Sequence, residues 1–250
     1  MKLLVDFGNT RLKWALWADG RPAMGGVFAH EDTPLEAALS NNWTALPRPE
    51  AILVASVVRP ELEQELSKLI KAHFGQKAEY VRSPAAALGI RNAYAQPGQL
   101  GVDRFLALAA LHAASPRAQI LVSCGTALTL DALSADGMHL GGLIAPSPAL
   151  MRRALGRGTA RVGENAGALV EIADNTADAA YSGCVLAAVA LIERFRASVR
   201  ARLGEEIAVT GDGGGLDEWL PLMADVERGR DLVLRGLALW SARESGHPSA

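Results

Sequence analysis

Leu3-Leu4-Val5-Asp6-Phe7-Gly8-Asn9-Thr10-Arg11-Leu12-Lys13 opens as an apolar strand, stops on a carboxylate, turns through Gly8, Asn9 and Thr10, and resumes as a second strand to Trp17. Asp19-Gly20 is a hairpin turn signal, and Gly25 to Ala29 regains strand character. The chain therefore begins with an antiparallel meander rather than a strand–helix–strand unit.

The same pattern restarts more than a hundred residues later. Gln119 to Ser123 reads as a strand, Cys124-Gly125 as a turn, Thr126 to Leu133 as a second strand, and Leu140 to Ala145 as a third after Ala135-Asp136-Gly137. Between the two meanders, Thr33 to Asn41 is expected as a short helix capped near Asp32 or Thr33, and Ala51 to Val58 as a buried strand. Pro60 to Phe74 is expected as an amphipathic helix with Pro60 in its first turn, followed by a short strand at Ala78 to Val81. Residues 83–99 read as loop, and Leu100 to Ala114 as an Ala/Leu-rich helix. After the second meander, helices are expected near 147–155 and over 176–203, then a strand at Ile207 to Thr210. A glycine turn at 211–215, a helix near 216–222 and a last helix over Asp231 to Arg243 complete the chain. The doubled order of strands and turns predicts an α/β protein of two related domains, each a mixed β-sheet with flanking helices. The domains are expected at residues 1–114 and 115–250, with the two strand turns facing an interdomain cleft.

Composition excludes several classes of function. With 25 basic and 27 acidic residues and no Lys/Arg block, nothing offers nucleic acid an electrostatic footprint or an anionic membrane a polybasic segment. The run Phe105 to Ala114 is too short to span a bilayer, and Asp6 follows the N-terminal strand too soon for a signal h-region. Cys124 and Cys184 lack CxxC spacing, and the five histidines form no HExxH, so neither a disulfide framework nor a zinc site is expected. A cytoplasmic protein, away from membranes and nucleic acid, is therefore expected.

The chemistry is concentrated in the turns. In the first, Gly8 lets backbone approach a ligand, while turn amides, Asn9 and the Thr10 hydroxyl can donate to phosphate oxygens. Lys13 adds a mobile positive charge, and Asp6 is a hard oxygen ligand suited to Mg²⁺. An ordinary hairpin turn explains the same residues, but the similar turn Ser123-Cys124-Gly125-Thr126 favours two loops gripping one polyphosphate. A third turn, Thr210-Gly211-Asp212-Gly213-Gly214-Gly215, suits close approach by a sugar or base, with a plain surface loop as the alternative. No GxxxxGK[ST] or GxGxxG is present, which argues against P-loop and Rossmann folds. This set of turns resembles the acetate kinase, sugar kinase, Hsp70 and actin superfamily, in which two related domains clamp ATP.

Tyr94-Ala95-Gln96-Pro97-Gly98-Gln99-Leu100-Gly101-Val102-Asp103-Arg104 narrows the reading. A carboxylate in the first turn of a helix can accept a hydroxyl proton, and the neighbouring arginine can pair with a carboxylate or with phosphoryl charge. A macrodipole-favoured Asp beside a solvated Arg is the bland alternative. Together DxGNTxxK (6–13), YxxPxxLGxDR (94–104), GTAxTxD (125–131), GGxIxP (141–146) and TG (210–211) resemble type III pantothenate kinases.

The resemblance implies ATP-dependent phosphorylation of pantothenate to 4′-phosphopantothenate, at the start of coenzyme A synthesis. It places ATP on Asp6, Phe7, Gly8, Asn9, Thr10, Arg11, Leu12 and Lys13, with Thr126 as a further contact and Mg²⁺ at Asp6. It makes Asp103 the proton acceptor and gives pantothenate Tyr94, Gly101, Val102, Asp103 and Arg104. Thr176 is the family's substrate-contacting threonine, supplied by the partner subunit of a homodimer or by a nearby lid. The family uses K⁺ or NH₄⁺ through an aspartate where this chain has Ser123, so cation dependence is in doubt here. Its IxPG motif becomes Ile144-Ala145-Pro146-Ser147. The remaining alternatives are a kinase of another small hydroxy acid or sugar, and an accessory or regulatory relative of weak or no activity.

Overall fold

The structure is a computed structural model that describes residues 1–30, 33–159 and 167–243. It divides into two compact units, Met1–Ser115 together with the segment from Asp231 onward, and Pro116–Arg230.

In the first unit the meander is β1 (Lys2–Phe7), β2 (Arg11–Ala18) and β3 (Arg21–Ala29). Helix α1 (Leu35–Trp43) leads to β4 (Ala51–Ser56), and α2 (Pro60–Phe74) leads to β5 (Glu79–Val81). The sheet order is β3-β2-β1-β4-β5, antiparallel through the meander and parallel from β1 to β5. Strand parity sorts the two faces. Leu3, Val5 and Phe7 pack with Ile52, Val54, Leu39, Trp43, Leu66, Ile70 and Phe74 on the side of α1 and α2. Lys2, Leu4 and Asp6 therefore point to the opposite face, where Lys2 Nζ donates to the Ser241 carbonyl at 2.7 Å. That face carries α3 (Val102–Ala114) and α6 (Leu232–Arg243). Asp6 and the helix bearing Asp103 thus share one side of the sheet.

Residues 83–101 are more ordered than a loop. A hairpin of β6 (Ala86–Ala87) and β7 (Ile90–Arg91) and a 3₁₀ turn at Pro97–Gln99 occupy this stretch. Helix α1 starts after Pro34 with no side-chain cap, so Thr33 does not cap it; Asp32 lies outside the described residues.

An ion pair ties α2 to the end of β5. The Glu63 carboxylate receives both terminal nitrogens of Arg82, at 3.0 and 2.7 Å. This pairing holds the Glu63 carboxyl below its ordinary 4.5. A carboxyl whose folded pKa is depressed contributes stability that is fully present above its unfolded pKa and fades as pH falls through the folded value. Because Arg82 is more than half exposed, Glu63→Gln is expected to cost about 1 kcal/mol at neutral pH. The difference from wild type should shrink as pH drops below 4.5. Urea unfolding at about pH 7 and about pH 3 checks this, and an equal deficit at both would assign the loss to something other than the charge.

The second unit repeats the plan with β8 (Gln119–Cys124), β9 (Ala127–Leu133), β10 (His139–Pro146), α4 (Pro148–Gly158), α5 (Thr176–Leu203), β11 (Ala208–Asp212) and β12 (Val226–Arg228). Its sheet order, β10-β9-β8-β11-β12, matches the first strand for strand. Ile120, Val122, Cys124, Leu128 and Leu130 pack against Val185, Ala188 and Ile192 of α5 and against Leu216 and Trp219. Ser123, Thr129, Thr210 and Asp212 consequently lie on the other face.

Two sequence expectations are corrected in this unit, and one strand is added. The helix expected near 216–222 is two 3₁₀ turns, Leu216–Glu218 and Leu220–Leu222, with Pro221 inside the second. β12 was not anticipated; it pairs in parallel with β11. The domain expected to run over 115–250 ends at Arg230, because α6 packs on α3 and on β1 and β4 of the first unit.

By length and composition α5 could cross a membrane, and 28% of its most apolar window is buried. Its buried stripe belongs to the sheet core, while Gly183, Ala187 and Ala190 are exposed at helical spacing.

Candidate active site

The first turn is built on the β1–β2 hairpin. Gly8 N–H donates to the Arg11 carbonyl at 3.0 Å, closing the turn around exposed Asn9 and half-buried Thr10. Phe7 and Leu12 are fully buried, so only their main chain can face a ligand. Asp6 stands opposite Lys13 in the antiparallel register, which puts carboxylate and ammonium side by side on one face. Asp6 also lies at the C-terminal end of β1, paired in parallel with β4, the edge at which α/β sheets bind ligands. A partly exposed carboxylate beside a phosphate-type turn is a donor set that fits Mg²⁺.

His30 was not foreseen as part of this turn. Its Nε2–H donates to the Gly8 carbonyl at 2.8 Å, its backbone N–H donates to Thr10 at 3.2 Å, and its ring packs edge-on to Phe7. It fastens both sides of the turn to the end of β3. Nothing in its sequence neighbourhood signals that role, since it lies twenty residues from the turn.

The second segment of interest is held by its own polar staples. Asn92 Nδ2 donates to the carbonyls of Pro84 and Pro97, each at 3.2 Å, and Asn92 Oδ1 accepts from Tyr94 N–H at 3.0 Å. Ser83 Oγ donates to the Leu100 carbonyl at 2.7 Å. These contacts fix Tyr94 and deliver the chain to Gly101, the residue before α3. Asp103 sits in the first turn of α3, and its Oδ1 accepts from Arg104 N–H at 2.8 Å. A Cβ on Gly101 would lie 2.5 Å from that oxygen, so a side chain there would displace the carboxylate. Val102 and Arg104 are buried, so Val102 can face a ligand only through its main chain.

In the second unit the two glycine turns meet. Gly215 N–H donates to the Cys124 carbonyl at 2.9 Å. Gly213, at φ +100°, lies so close that a Cβ would come within 2.3 Å of the same oxygen. The loop after β11 is therefore seated on the Cys124-Gly125 turn, beside exposed Thr126. Burial raises the Cys124 thiol pKa, consistent with a packing residue rather than a nucleophile. Among the described residues both cysteines are free and buried.

Ser123 is in register with Thr129 on β9 and with Asp212 on β11, which aligns two hydroxyls and a carboxylate along one face. Ser147, where the Pro146-Ser147 departure occurs, has a definite structural use. Its hydroxyl donates to the Thr126 carbonyl at 3.0 Å and accepts from Leu150 N–H at 3.3 Å, capping α4. Thr176 is exposed at the start of α5, where Asn175 is the N-cap and accepts from Asp178 N–H at 3.0 Å. Asp178 in turn accepts from Ala168 N–H, a bond that lowers its carboxyl pKa and holds the irregular segment entering the helix.

The structure thus groups Asp6, Gly8–Thr10, Lys13, Tyr94, Gly101, Asp103 and Arg104 in one unit, and Ser123, Thr126, Thr176 and the glycine loop in the other.

Comparison with known proteins identifies the family. The family profile of type III pantothenate kinases matches residues 2–198. A type III pantothenate kinase from Xanthomonas axonopodis pv. citri is 41% identical over 97% of this chain and 98% of its own. One from Nitrosococcus oceani is 38% identical over 95% and 92%. Among solved structures, a Campylobacter jejuni protein described as a Baf family transcriptional activator superposes with a TM-score of 0.65 at 18% identity, covering 97% of this chain and 99% of that one. The Clostridium difficile activator of 2-hydroxyisocaproyl-CoA dehydratase, with bound ADPNP, superposes at 0.54 and 14% identity, covering 100% and 99%. At such identities these two speak for the fold alone.

Proposed function

Because the chain belongs to the type III pantothenate kinase family, and so phosphorylates pantothenate with ATP and a divalent metal at the entry to coenzyme A synthesis, we propose the following division of labour among its residues. The turn over Asp6, Phe7, Gly8, Asn9, Thr10, Arg11, Leu12 and Lys13 takes the ATP phosphates, through main-chain N–H groups at Phe7 and Leu12 and side chains at Asn9, Thr10 and Lys13. Thr126 contacts the same nucleotide, and the glycine loop at 211–215 receives its adenosine. Asp6 holds the metal, which neutralises phosphate charge when bound.

Tyr94, Gly101, Val102 and Arg104 line the pantothenate site, with Arg104 for the carboxylate. Asp103 accepts the proton of the pantothenate primary hydroxyl. As that oxygen bonds to the γ-phosphorus, the bond from phosphorus to the bridging oxygen breaks and ADP leaves with the electron pair. The observation that most favours this reading is the first turn of α3, where the Arg104 N–H aims the Asp103 carboxylate and Gly101 leaves room for it.

Two finer assignments belong to the same proposal. The row Thr129–Ser123–Asp212 offers a monovalent cation three oxygen ligands, with Asp212 supplying the negative charge that Ser123 lacks. The protein is a cytoplasmic homodimer, with Thr176 reaching pantothenate from the partner subunit. The exposed small residues Gly183, Ala187 and Ala190 support close packing of α5 against a second copy.

ADP release measured against pantothenate and a panel of sugars and hydroxy acids, with K⁺, NH₄⁺ or neither, tests the proposal. Turnover is expected with pantothenate alone, stimulated by K⁺ or NH₄⁺ in wild type and unstimulated in Asp212→Asn. Cation-independent wild-type turnover would remove the cation assignment, and preference for another acceptor would remove the pantothenate-site assignment.

A further inference from the structure

Arg152 and Glu218 lie 66 residues apart in sequence, yet form a two-pronged ion pair, Nη1 to Oε2 at 2.9 Å and Nη2 to Oε1 at 2.8 Å. Both side chains are largely shielded, at 14% and 27% exposure. The Arg152 guanidinium also lies 4.7 Å above the ring of Tyr181 on α5. The pairing keeps the guanidinium pKa raised. A planar guanidinium fixed along two edges by carboxylate and on one face by an aromatic ring has little freedom left.

The position of the pair gives it a consequence for the reaction. Arg152 sits on α4, whose N-cap Ser147 bonds the Thr126 carbonyl. Glu218 ends the 3₁₀ turn that leaves the glycine loop, and its neighbours Leu216 and Trp219 are buried in the core. Helix α4 is therefore bonded at its first turn to the Thr126 turn, and one turn later to the segment leaving the glycine loop. These are the two places in this unit that the proposed function assigns to ATP.

We infer that Arg152 and Glu218 are positioning residues for ATP: with Ser147, they make α4 a strut that sets the spacing between the Thr126 turn and the glycine loop. This rests on the assignment of both turns to ATP. The pair is bonded within the second unit, whereas the pantothenate segment belongs to the first, so the strut acts on nucleotide affinity and not on the acceptor.

Arg152→Lys keeps the charge but loses the two-pronged geometry and the ring contact. It is expected to raise KM for ATP about tenfold with KM for pantothenate and kcat at saturating ATP unchanged. Glu218→Gln should do the same, and Arg152→Lys/Glu218→Gln should be no worse than the worse single variant, because both act through one contact. Arg196→Lys, which alters the Arg196–Asp225 ion pair in the same unit, serves as the control for stability. It should lower the melting temperature comparably without moving KM for ATP. Thr126→Ala tests the underlying assignment separately. If Thr126→Ala raises KM for ATP and the pair variants do not, the strut is refuted while the ATP site stands. If Thr126→Ala leaves KM for ATP unchanged, the ATP site itself fails, and the strut with it. Additive losses in the double variant, or equal changes in both KM values, would also overturn the strut.

Discussion

Asp103→Asn is expected to lower kcat by about 10²–10⁴ while ATP still binds with near wild-type affinity. The amide is isosteric with the carboxylate, and its oxygen can keep the bond from Arg104 N–H, so the first turn of α3 should not rearrange. What it cannot do is take a proton from an attacking hydroxyl. Steady-state turnover reads the chemical loss, and titration with a fluorescent ATP analogue reads the binding that survives. Turnover near wild type would strip Asp103 of the role of base.

Gly213→Ala is expected to damage both stability and nucleotide binding. At φ +100° the position disfavours any L side chain, and the added Cβ would meet the Cys124 carbonyl oxygen at 2.3 Å and its carbon at 2.7 Å. Both obstacles are backbone, so no rotamer change relieves them. The loop must lift from the Cys124-Gly125 turn, breaking the bond from Gly215 N–H. A cost of about 2–4 kcal/mol follows from the strained backbone and overpacking together. ATP affinity should fall in parallel, because the two turns lose their fixed spacing. Thermal unfolding and ATP titration of the same preparation check this. Wild-type affinity in a destabilised variant would show that the loop serves packing alone.

Much of the fold was legible because its signals are local. Helix α2 runs over the predicted Pro60–Phe74, with proline in its first turn and Gly75 in the left-handed conformation at its end. Helix α5 likewise matches its predicted span, opened by Asn175 and closed by Gly204. The doubled meander was visible because each copy places apolar runs around a polar-glycine turn, and the structure repeats one strand order in both sheets.

What escaped the sequence is long-range or weakly patterned. β12 is three residues, Val226–Arg228, with too little alternation to mark a strand. Helix α6 follows the second unit in the chain but packs on the first, a choice made by complementary surfaces on α3, β1 and β4. The turn and substrate motifs named most of the candidate site, whereas the residues that hold it in place are remote from those motifs. His30 fastens the first turn from the end of β3, and Asn92 organises the stretch before α3 through three separate bonds. The Arg152–Glu218 pair joins segments that nothing in their spacing relates. Ser147 is instructive in the opposite sense. It departs from the IxPG motif, yet its hydroxyl both caps α4 and secures Thr126.

Transfer of label from γ-labelled ATP is the most direct test of the account. With pantothenate present, the account predicts one labelled phosphomonoester of pantothenate, formed one-for-one with ADP by the wild-type protein and nearly absent with Asp103→Asn. Label recovered only as inorganic phosphate, or on pantothenate at the same rate from both proteins, would contradict it.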